Sequence, residues 1–338
     1  MSARPDMPSR STGPEITGDP FTHTQTGHVV RTSSRTPASS PAPVSLQAVT
    51  KIYGDQRAVD GVSFDLRPGE CVALAGHNGA GKSTLIKLIL GLIRADEGRV
   101  MALGHDTCSP AAAQQRRHIG YLPETVALHP SLTGIETLAF YAKLKGLPTK
   151  DNAALLSRVG IAQAAKRRVG GYSKGMRQRL ALAQALLGQP RILLLDEPTT
   201  GLDPASRLLF YEILDELRSH GAAILLSTHA LAELGSQADR VIVMQSGRKI
   251  ADGSLGDLRR QAGLPVRIRV TLDADLDPSV IPNGWRRLTP HRLECSCSEA
   301  GKLPALRDAQ TLPGLTDIEL EAPGLDEMYA HLLRREDV

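Results

Sequence analysis

A glycine-rich segment that ends in lysine, serine and threonine is the first pattern in this sequence that could perform chemistry. It reads Gly76-His-Asn-Gly-Ala-Gly-Lys82-Ser83-Thr84. Its glycines allow successive backbone N–H groups to turn toward a polyphosphate, and the helix expected after it adds the positive end of a helix dipole. We expect Lys82 to reach the β- and γ-phosphates of a nucleotide and the Ser83 hydroxyl to ligate Mg²⁺. The predicted nucleotide-binding residues of this loop are Gly76, His77, Asn78, Gly79, Ala80, Gly81, Lys82, Ser83 and Thr84.

Two adjacent carboxylates, Asp196 and Glu197, follow the apolar run Ile192–Leu195 and precede Pro198. A lone Asp-Glu pair usually lies in a solvated turn, but the buried strand before this pair and the phosphate loop upstream favour a catalytic one. Side chains alternate in direction along a strand, so the two acids cannot share one role. We therefore expect Asp196 on the Mg²⁺ side and Glu197 as the base that polarises an attacking water.

The elements that must position these residues are strands that alternate with helices. A buried-strand pattern at Cys71–Ala75 leads into the phosphate loop, and helical patterns follow at Ser83–Leu92 and Leu132–Leu147. Such alternation predicts an α/β fold with a parallel sheet covered on both faces. The remaining strand-sized apolar runs of this part of the chain are Ile192–Leu195, Ala223–Leu226 and Val241–Met244.

Composition divides the chain into three segments. Residues 1–43 are rich in proline, serine and threonine and have few large apolar groups, so we expect a disordered tail. Residues 44–262 carry the patterns above and form the predicted nucleotide-binding domain. Residues 263–338 are predicted to be a small α+β domain. Its expected strands are Val266–Leu272, Arg292–Cys297 and Thr316–Leu320, and its expected helices are Leu303–Leu312 and Leu325–Leu333.

Overall composition narrows the class of protein. The 338 residues are 41% hydrophobic, which is enough for a real core, and no apolar run approaches the roughly 18 to 20 residues of a membrane span. A formal net charge of +4 does not indicate a nucleic-acid binder. Four cysteines fit a reducing compartment rather than a disulfide framework. No secretory leader pattern occurs near the N-terminus, so we expect a protein that is neither secreted nor membrane-spanning.

Four further motifs follow the order found in one known family. Tyr172-Ser-Lys-Gly-Met176 leads into a helix, Thr200-Gly-Leu-Asp203 follows the carboxylates, Ser227-Thr-His229 ends the next strand, and Tyr53 precedes the phosphate loop. With the loop and the acid pair, these motifs make residues 44–262 resemble the nucleotide-binding subunit of ATP-binding-cassette (ABC) transporters. The resemblance implies the P-loop NTPase fold of that cassette, a mixed and largely parallel sheet core with a helical lobe.

The resemblance also implies roles, cofactors and partners. ATP and Mg²⁺ are the expected cofactors, and the expected partners are a second copy of the subunit and a separate transmembrane permease, but no nucleic acid. The implied location is the cytoplasmic face of the cell membrane, as a peripheral subunit. The implied roles are adenine stacking for Tyr53, contact with the opposite subunit's nucleotide for Ser173 and Gly175, dimer support for Asp203, γ-phosphate monitoring for His229 and Glu124, and Mg²⁺ ligation for Ser83, Asp196 and Glu124.

Two positions depart from the family's usual pattern. The signature loop usually reads Leu-Ser-Gly-Gly-Gln, whereas here Lys174 replaces a glycine between the retained Ser173 and Gly175. The loop between the lobes usually carries glutamine, whereas Gly120-Tyr-Leu-Pro-Glu124 carries glutamate. A carboxylate there can still ligate Mg²⁺ or hold water, and exporter ATPases share it. The departures therefore concern turnover rate more than nucleotide binding.

A finer resemblance concerns the cargo. Four segments look most like the ATPase of the system that assembles the copper site of nitrous oxide reductase; they are the start of the phosphate loop, Gly120–Val126, Tyr172–Leu180 and Ala262–Arg269. The alternatives are the ATPase of a drug, lipid or polysaccharide exporter, and a soluble ABC ATPase of translation or repair. Against the soluble class, the chain shows neither a second cassette nor a long coiled-coil insertion. The signature loop and His229 argue against a P-loop kinase or GTPase.

Cys295 and Cys297 could be soft-metal ligands for such a cargo. At a spacing of two they share one face of a strand with Leu293, which is the pattern of a core face. We therefore predict that both thiols pack in the core of the C-terminal domain.

Overall fold

The computed structural model describes residues 41–229 and 237–324, together with residues 327, 328 and 331. Its strands are β1 (Val44–Tyr53), β2 (Gln56–Leu66), β3 (Cys71–Ala75), β4 (Glu97–Ala102), β5 (His105–Asp106), β6 (Ile119–Leu122), β7 (Ile192–Asp196), β8 (Ala223–Thr228), β9 (Arg240–Gln245), β10 (Arg248–Gly253), β11 (Val266–Leu272), β12 (Trp285–Thr289), β13 (Arg292–Cys297) and β14 (Leu315–Glu321). Its α-helices are α1 (Lys82–Ile89), α2 (Pro110–Gln115), α3 (Gly134–Leu144), α4 (Asn152–Arg158), α5 (Lys174–Leu186), α6 (Pro204–Ser219), α7 (Leu255–Ala262) and α8 (Lys302–Gln310).

Two predicted segments fall largely outside this description. Residues 1–40 of the predicted tail lie outside the described residues, and so does most of the predicted closing helix Leu325–Leu333. The end of the predicted tail is described, and there the Pro43 carbonyl accepts a hydrogen bond of 2.8 Å from the Leu103 backbone N–H. The pairing of the ordered domain therefore begins before Val44.

The central sheet has the strand order β10-β9-β3-β8-β7-β6. Its neighbours pair in parallel from β9 to β6, and β10 is added antiparallel to β9 as a hairpin. Every residue of β3, β7 and β8 is buried, as expected for parallel strands covered on both faces. The carboxyl ends of these three strands lie at one edge of the sheet, and each continues into a segment with predicted catalytic residues.

A second, antiparallel sheet has the order β2-β1-β4-β5. Its inward side chains join α1 and one face of the central sheet in a single apolar cluster that includes Leu46, Leu66, Leu85 and Leu225. Alternation along β1 and β2 produces this face, because residues two apart point to the same side of a strand. This packing fixes the start of α1 against the phosphate loop.

The other face of the central sheet is covered by the helical lobe and α6, in a cluster that includes Leu138, Leu156, Leu180 and Phe210. Helix α3 begins later than the predicted Leu132–Leu147 because Thr133 caps it, and it ends at Leu144, before Gly146 with φ 68°. The Thr133 hydroxyl accepts from the Glu136 N–H, and the Glu136 carboxylate accepts from the Thr133 N–H in return.

The C-terminal domain is a four-stranded antiparallel sheet of order β12-β13-β11-β14 with α8 against one face. Its core contains Ile268, Val270, Trp285 and Leu293. Cys295 is buried in this core and Cys297 packs partly buried against it, which confirms the predicted core face. The predicted α+β character of this segment is confirmed, and β12 is a strand that the sequence analysis did not anticipate.

Two searches of the described residues bear on membranes and metals. Within that part of the chain, no helix has both the length and the apolar character needed to cross a bilayer. In the same residues, no group of three or more histidine, cysteine and acidic side chains is arranged to hold a metal ion.

Candidate functional site

The phosphate loop joins the buried strand β3 to helix α1, as predicted. Gly81 is the N-cap of α1 and has φ 103°, and Gly79 has φ 83°, both conformations that residues with a Cβ rarely adopt. A Cβ on Gly81 would also overlap the Ala58 carbonyl oxygen. The loop therefore depends on glycine at these positions to bring its N–H groups around the start of α1.

Lys82 is buried at the mouth of this loop, with 6% of the residue exposed. Its Nζ donates to the Gly76 carbonyl at 2.5 Å and to the His77 carbonyl at 3.3 Å, and it lies 3.7 Å from Glu197 Oε1. A buried ammonium needs such oxygen partners. Because these carbonyls belong to the phosphate loop itself, they hold the Lys82 charge at the place where phosphates are expected.

Asp196 and Glu197 lie at the end of β7 and are both buried. Glu197 has φ 49°, so the chain turns sharply between the two acids. Its Oε2 lies 2.7 Å from Nδ1 of His229, which follows β8 and has a half-exposed side chain. The structure thus brings the predicted base, the predicted γ-phosphate monitor and Lys82 into one cluster.

These groups line one cleft of about 520 Å³, a volume within the usual range for small-molecule sites. The cleft contains every predicted residue of the phosphate loop except Gly76, together with Tyr53, Glu124, Asp196, Glu197 and His229. Gly76 lies at the base of the loop, where its carbonyl accepts from Lys82. Gln56 and Ala58 also line the cleft and were not predicted.

The electrostatics of the cleft fit a divalent cation. Ser83, Glu124 and Asp196 supply hydroxyl and carboxylate oxygens, the donors that Mg²⁺ prefers. Burial and the negative charges of Asp196 and Glu124 raise the pKa of the neighbouring Tyr121 phenol. The donor set and this negative field agree with the predicted metal ligands.

Tyr53 ends β1 at the rim of the cleft. Its ring is 47% exposed, and Lys51 Nζ lies 5.4 Å from the ring centroid. An aromatic face at the mouth of a phosphate-binding cleft can stack on a nucleobase. The position fits the predicted adenine contact.

Ser173, Gly175 and Asp203 do not line the cleft of their own chain. Ser173 is the N-cap of α5, and its hydroxyl accepts from the Met176 N–H at 3.2 Å. Asp203 is the N-cap of α6, where hydrogen bonds from the Ser206 hydroxyl and N–H lower the pKa of its carboxyl. Both caps are exposed at their helix starts, so the roles predicted for these residues require a second subunit.

Two contacts near the acids were not predicted. The Ser227 hydroxyl lies between Asp196 and the Glu197 backbone, and the Gln178 amide donates to the Pro198 carbonyl at 3.1 Å. The second contact links α5 to the residue that follows Glu197. For the Ser227 contact, the sequence offers one signal, which is a serine two residues before the strand-end His229.

A glycine loop at the start of α1, a metal-side aspartate, an adjacent glutamate and a strand-end histidine define a nucleotide-hydrolysing P-loop protein. The model of the ABC transporter family matches residues 59–200. The Nod factor export ATP-binding protein I of Burkholderia thailandensis is 42% identical over 219 residues, covering 64% of this chain and 72% of that protein. The doxorubicin resistance ATP-binding protein DrrA of Mycobacterium tuberculosis is 36% identical over 305 residues, covering 85% of this chain and 92% of that protein.

Solved structures agree with this assignment. An ATP-binding subunit of an ABC transporter superposes with a TM-score of 0.61 at 34% identity, covering 65% of this chain and 93% of its own. A dimeric bacterial ABC transporter cassette gives 0.59 at 27% identity, covering 63% and 98%. The chain belongs to the ATP-binding subunits of ABC transporters, which are ATPases coupled to transport. The predicted fold class and ATPase activity are thereby confirmed.

Proposed function

We propose that this chain is a peripheral subunit that dimerises around two ATP·Mg²⁺ and powers a separate membrane permease from the cytoplasmic side. The observation that carries the proposal is that Lys82 and His229 both approach the Glu197 carboxylate within one cleft. A base held between a cation and an imidazole at the end of a phosphate loop suits hydrolysis of the terminal phosphate.

Within the cleft, Lys82 and the loop N–H groups would bind the phosphates, and Ser83, Asp196 and Glu124 would hold the metal. When bound, Mg²⁺ would neutralise the charge that develops on the phosphates. The Glu197 carboxylate accepts the proton of the attacking water. His229 orients that carboxylate through its Nδ1 contact and senses the γ-phosphate.

The homodimer is supported by the positions of Ser173 and Asp203, which cap helices outside the cleft of their own chain. In the proposed dimer, Ser173 and Gly175 contact the nucleotide held by the opposite subunit, and Asp203 lies at the subunit boundary. A related cassette whose structure is dimeric supports this arrangement.

The central test of the proposal is reconstitution. A candidate permease from the same genome is co-expressed with the chain, and the purified complex is placed in vesicles. We expect copurification, ATP-dependent transport, and loss of transport in Glu197→Gln without loss of the complex. A chain that hydrolyses ATP yet never associates with a membrane subunit would contradict the proposal and favour a soluble ABC ATPase.

For the cargo, we propose a role in the copper-site maturation of nitrous oxide reductase. The support is the resemblance in Gly120–Val126, Tyr172–Leu180 and Ala262–Arg269. The test is deletion of the gene followed by measurement of the copper content and activity of nitrous oxide reductase. Unchanged copper content would contradict this cargo.

A second candidate is export of a drug, lipid or polysaccharide. The names of the two relatives favour it, since one is named for Nod factor export and the other for doxorubicin resistance. The match to the doxorubicin resistance protein extends over 305 residues and is therefore longer than the 44–262 domain. Under this function, deletion leaves nitrous oxide reductase intact and raises cellular retention of an exported amphiphile.

A further inference from the structure

One fully buried hydroxyl lies between the two acids of the cleft. Ser227 is 0% exposed near the end of β8, and it is the register partner of Asp196 across the parallel pairing of β7 and β8. Its Oγ accepts a hydrogen bond of 3.0 Å from the Glu197 backbone N–H. The same hydroxyl donates its proton to Asp196 Oδ1. One hydroxyl therefore contacts two consecutive residues, the side-chain carboxylate of Asp196 and the backbone N–H of Glu197.

The backbone of Glu197 needs such a contact. Its φ of 49° places it in the left-handed region, which a residue with a Cβ occupies at a cost. Residues in such conformations persist only where their surroundings hold them. The bond from the Glu197 N–H to Ser227 ties the backbone at the turn itself, and it does so where water does not reach.

The direction of the Glu197 side chain follows from this turn. With the backbone held there, the carboxylate lies 2.7 Å from His229 Nδ1 and 3.7 Å from Lys82 Nζ. A backbone that relaxed to a right-handed or extended conformation would aim the side chain elsewhere. Misplacement of a catalytic group by about 1 Å can cost roughly 100-fold in rate.

We propose that Ser227 is a positioning residue for ATP hydrolysis, which holds Glu197 in the left-handed turn that directs its carboxylate to the phosphate end of the cleft. The inference rests on the proposed role of Glu197 as the base. Ser227 is buried behind the acids, so it acts through the Glu197 N–H and not by touching nucleotide.

The test is a double-mutant cycle of Ser227→Ala and Glu197→Gln. The kcat for ATP hydrolysis is measured at saturating ATP and Mg²⁺, and the Kd for ATP is measured alongside. The matched control is Thr137→Val, which removes another buried hydroxyl, one that donates to the Thr133 carbonyl in α3 at 2.8 Å. Thermal unfolding of each variant reports the loss of stability that both substitutions share.

We expect Ser227→Ala to lower kcat about tenfold or more with the Kd for ATP within about twofold of the parent. In the Glu197→Gln background, the same substitution should change the residual rate by less than about twofold, because the group it positions is already disabled. Thr137→Val should lower the unfolding temperature and leave kcat unchanged.

Three results would overturn the proposal. They are an unchanged kcat in Ser227→Ala, an equal loss in both backgrounds, and a matching loss of kcat in Thr137→Val. Failure of the underlying function looks different, since Glu197→Gln would then hydrolyse ATP at the parent rate. If Glu197→Gln is inactive while Ser227→Ala is fully active, the role of Glu197 stands and only the role of Ser227 is wrong.

Discussion

Glu197 is the residue on which most contacts of the cleft converge. Its carboxylate meets a cation on one side and an imidazole on the other, and its backbone is held in a left-handed turn. A group restrained from several directions loses little further freedom when the reaction occurs, which is how enzymes pre-organise a base. The geometry thus distinguishes Glu197 from Asp196, whose neighbour is the buried Ser227 hydroxyl.

Replacement of Glu197 by glutamine should separate binding from hydrolysis. Glutamine keeps the shape and can still hydrogen-bond, but it cannot accept the proton of the attacking water. General-base assistance is worth about 10² to 10⁴ in rate, so hydrolysis should fall by at least about 100-fold while ATP still binds. Phosphate release and equilibrium nucleotide binding measure the two effects. Undiminished hydrolysis would assign the base to Glu124 or His229 instead.

Cys295 and Cys297 should have no part in metal handling. Cys295 lies in the core of the C-terminal domain and Cys297 packs against it, and burial raises the pKa of both thiols, which disfavours the thiolate that binds a soft metal. The double variant Cys295→Ser with Cys297→Ser should lose some stability and keep any copper-related phenotype. The measurement that checks this is Cu(I) binding by the purified full chain, compared with Cu(I) binding by the purified double variant. A folded double variant that fails in copper delivery would contradict the core assignment.

At this scale the sequence predicted most of the residues that line the candidate cleft, but not the contacts that support them. Lys82, Asp196 and Glu197 could be predicted because the phosphate loop and the strand-end acids have characteristic spacings. Ser227 could not be assigned its contacts, because they depend on the register of β7 with β8. Register is set by the packing of the whole sheet, so the serine before the strand-end histidine indicates a position near the acids but not the two hydrogen bonds that it makes.

Among the elements, the turn from β3 into α1 has no room for a Cβ at Gly81. Gly81→Ala would place a Cβ in a left-handed conformation and against the Ala58 carbonyl. We expect it to lower the affinity for ATP by at least about tenfold, because the loop must shift to relieve the overlap. Nucleotide titration measures the effect.

Gly146→Ala is the matched control for that substitution. Gly146 has φ 68° after α3, and a Cβ there would meet nothing within 4 Å. It should therefore cost about 1 to 2 kcal/mol of stability and leave ATP affinity unchanged. Equal affinity losses in both variants would show that general instability, and not the loop, is responsible.

The elements themselves could be predicted unevenly. Strands β3, β11 and β13 lie where their hydrophobic patterns place them. Strands β4 and β12 did not show a clear pattern, because each buries few residues and exposes charged or polar side chains at consecutive positions. Sequence patterns report burial, so elements that are only half-buried leave the weakest signal.

At the scale of the molecule, the helix start at Ser173 does not line the predicted nucleotide cleft of its own chain. In the proposed dimer, a second copy of the chain would bring its Ser173 to this cleft. The C-terminal domain has its own core, and a buried contact of Met328 joins the chain beyond it to the core of the cassette.

Dimerisation should follow from the same arrangement when hydrolysis is blocked. In Glu197→Gln, ATP·Mg²⁺ stays bound by the phosphate loop of one subunit and contacts Ser173 of the other, so the ligand shifts monomer to dimer by mass action. Light scattering with and without ATP·Mg²⁺ should show the change in mass. Adding Ser173→Arg should abolish the dimer, because bulk and positive charge then lie against the opposite nucleotide.

Ser173 also caps α5, and loss of a cap costs about 1 kcal/mol by itself. Ser254→Arg is the control, since it removes the cap of α7 instead and should leave the ATP-dependent dimer intact. A dimer that survives Ser173→Arg, or one that Ser254→Arg abolishes equally, would contradict a nucleotide held between the phosphate loop and the start of α5.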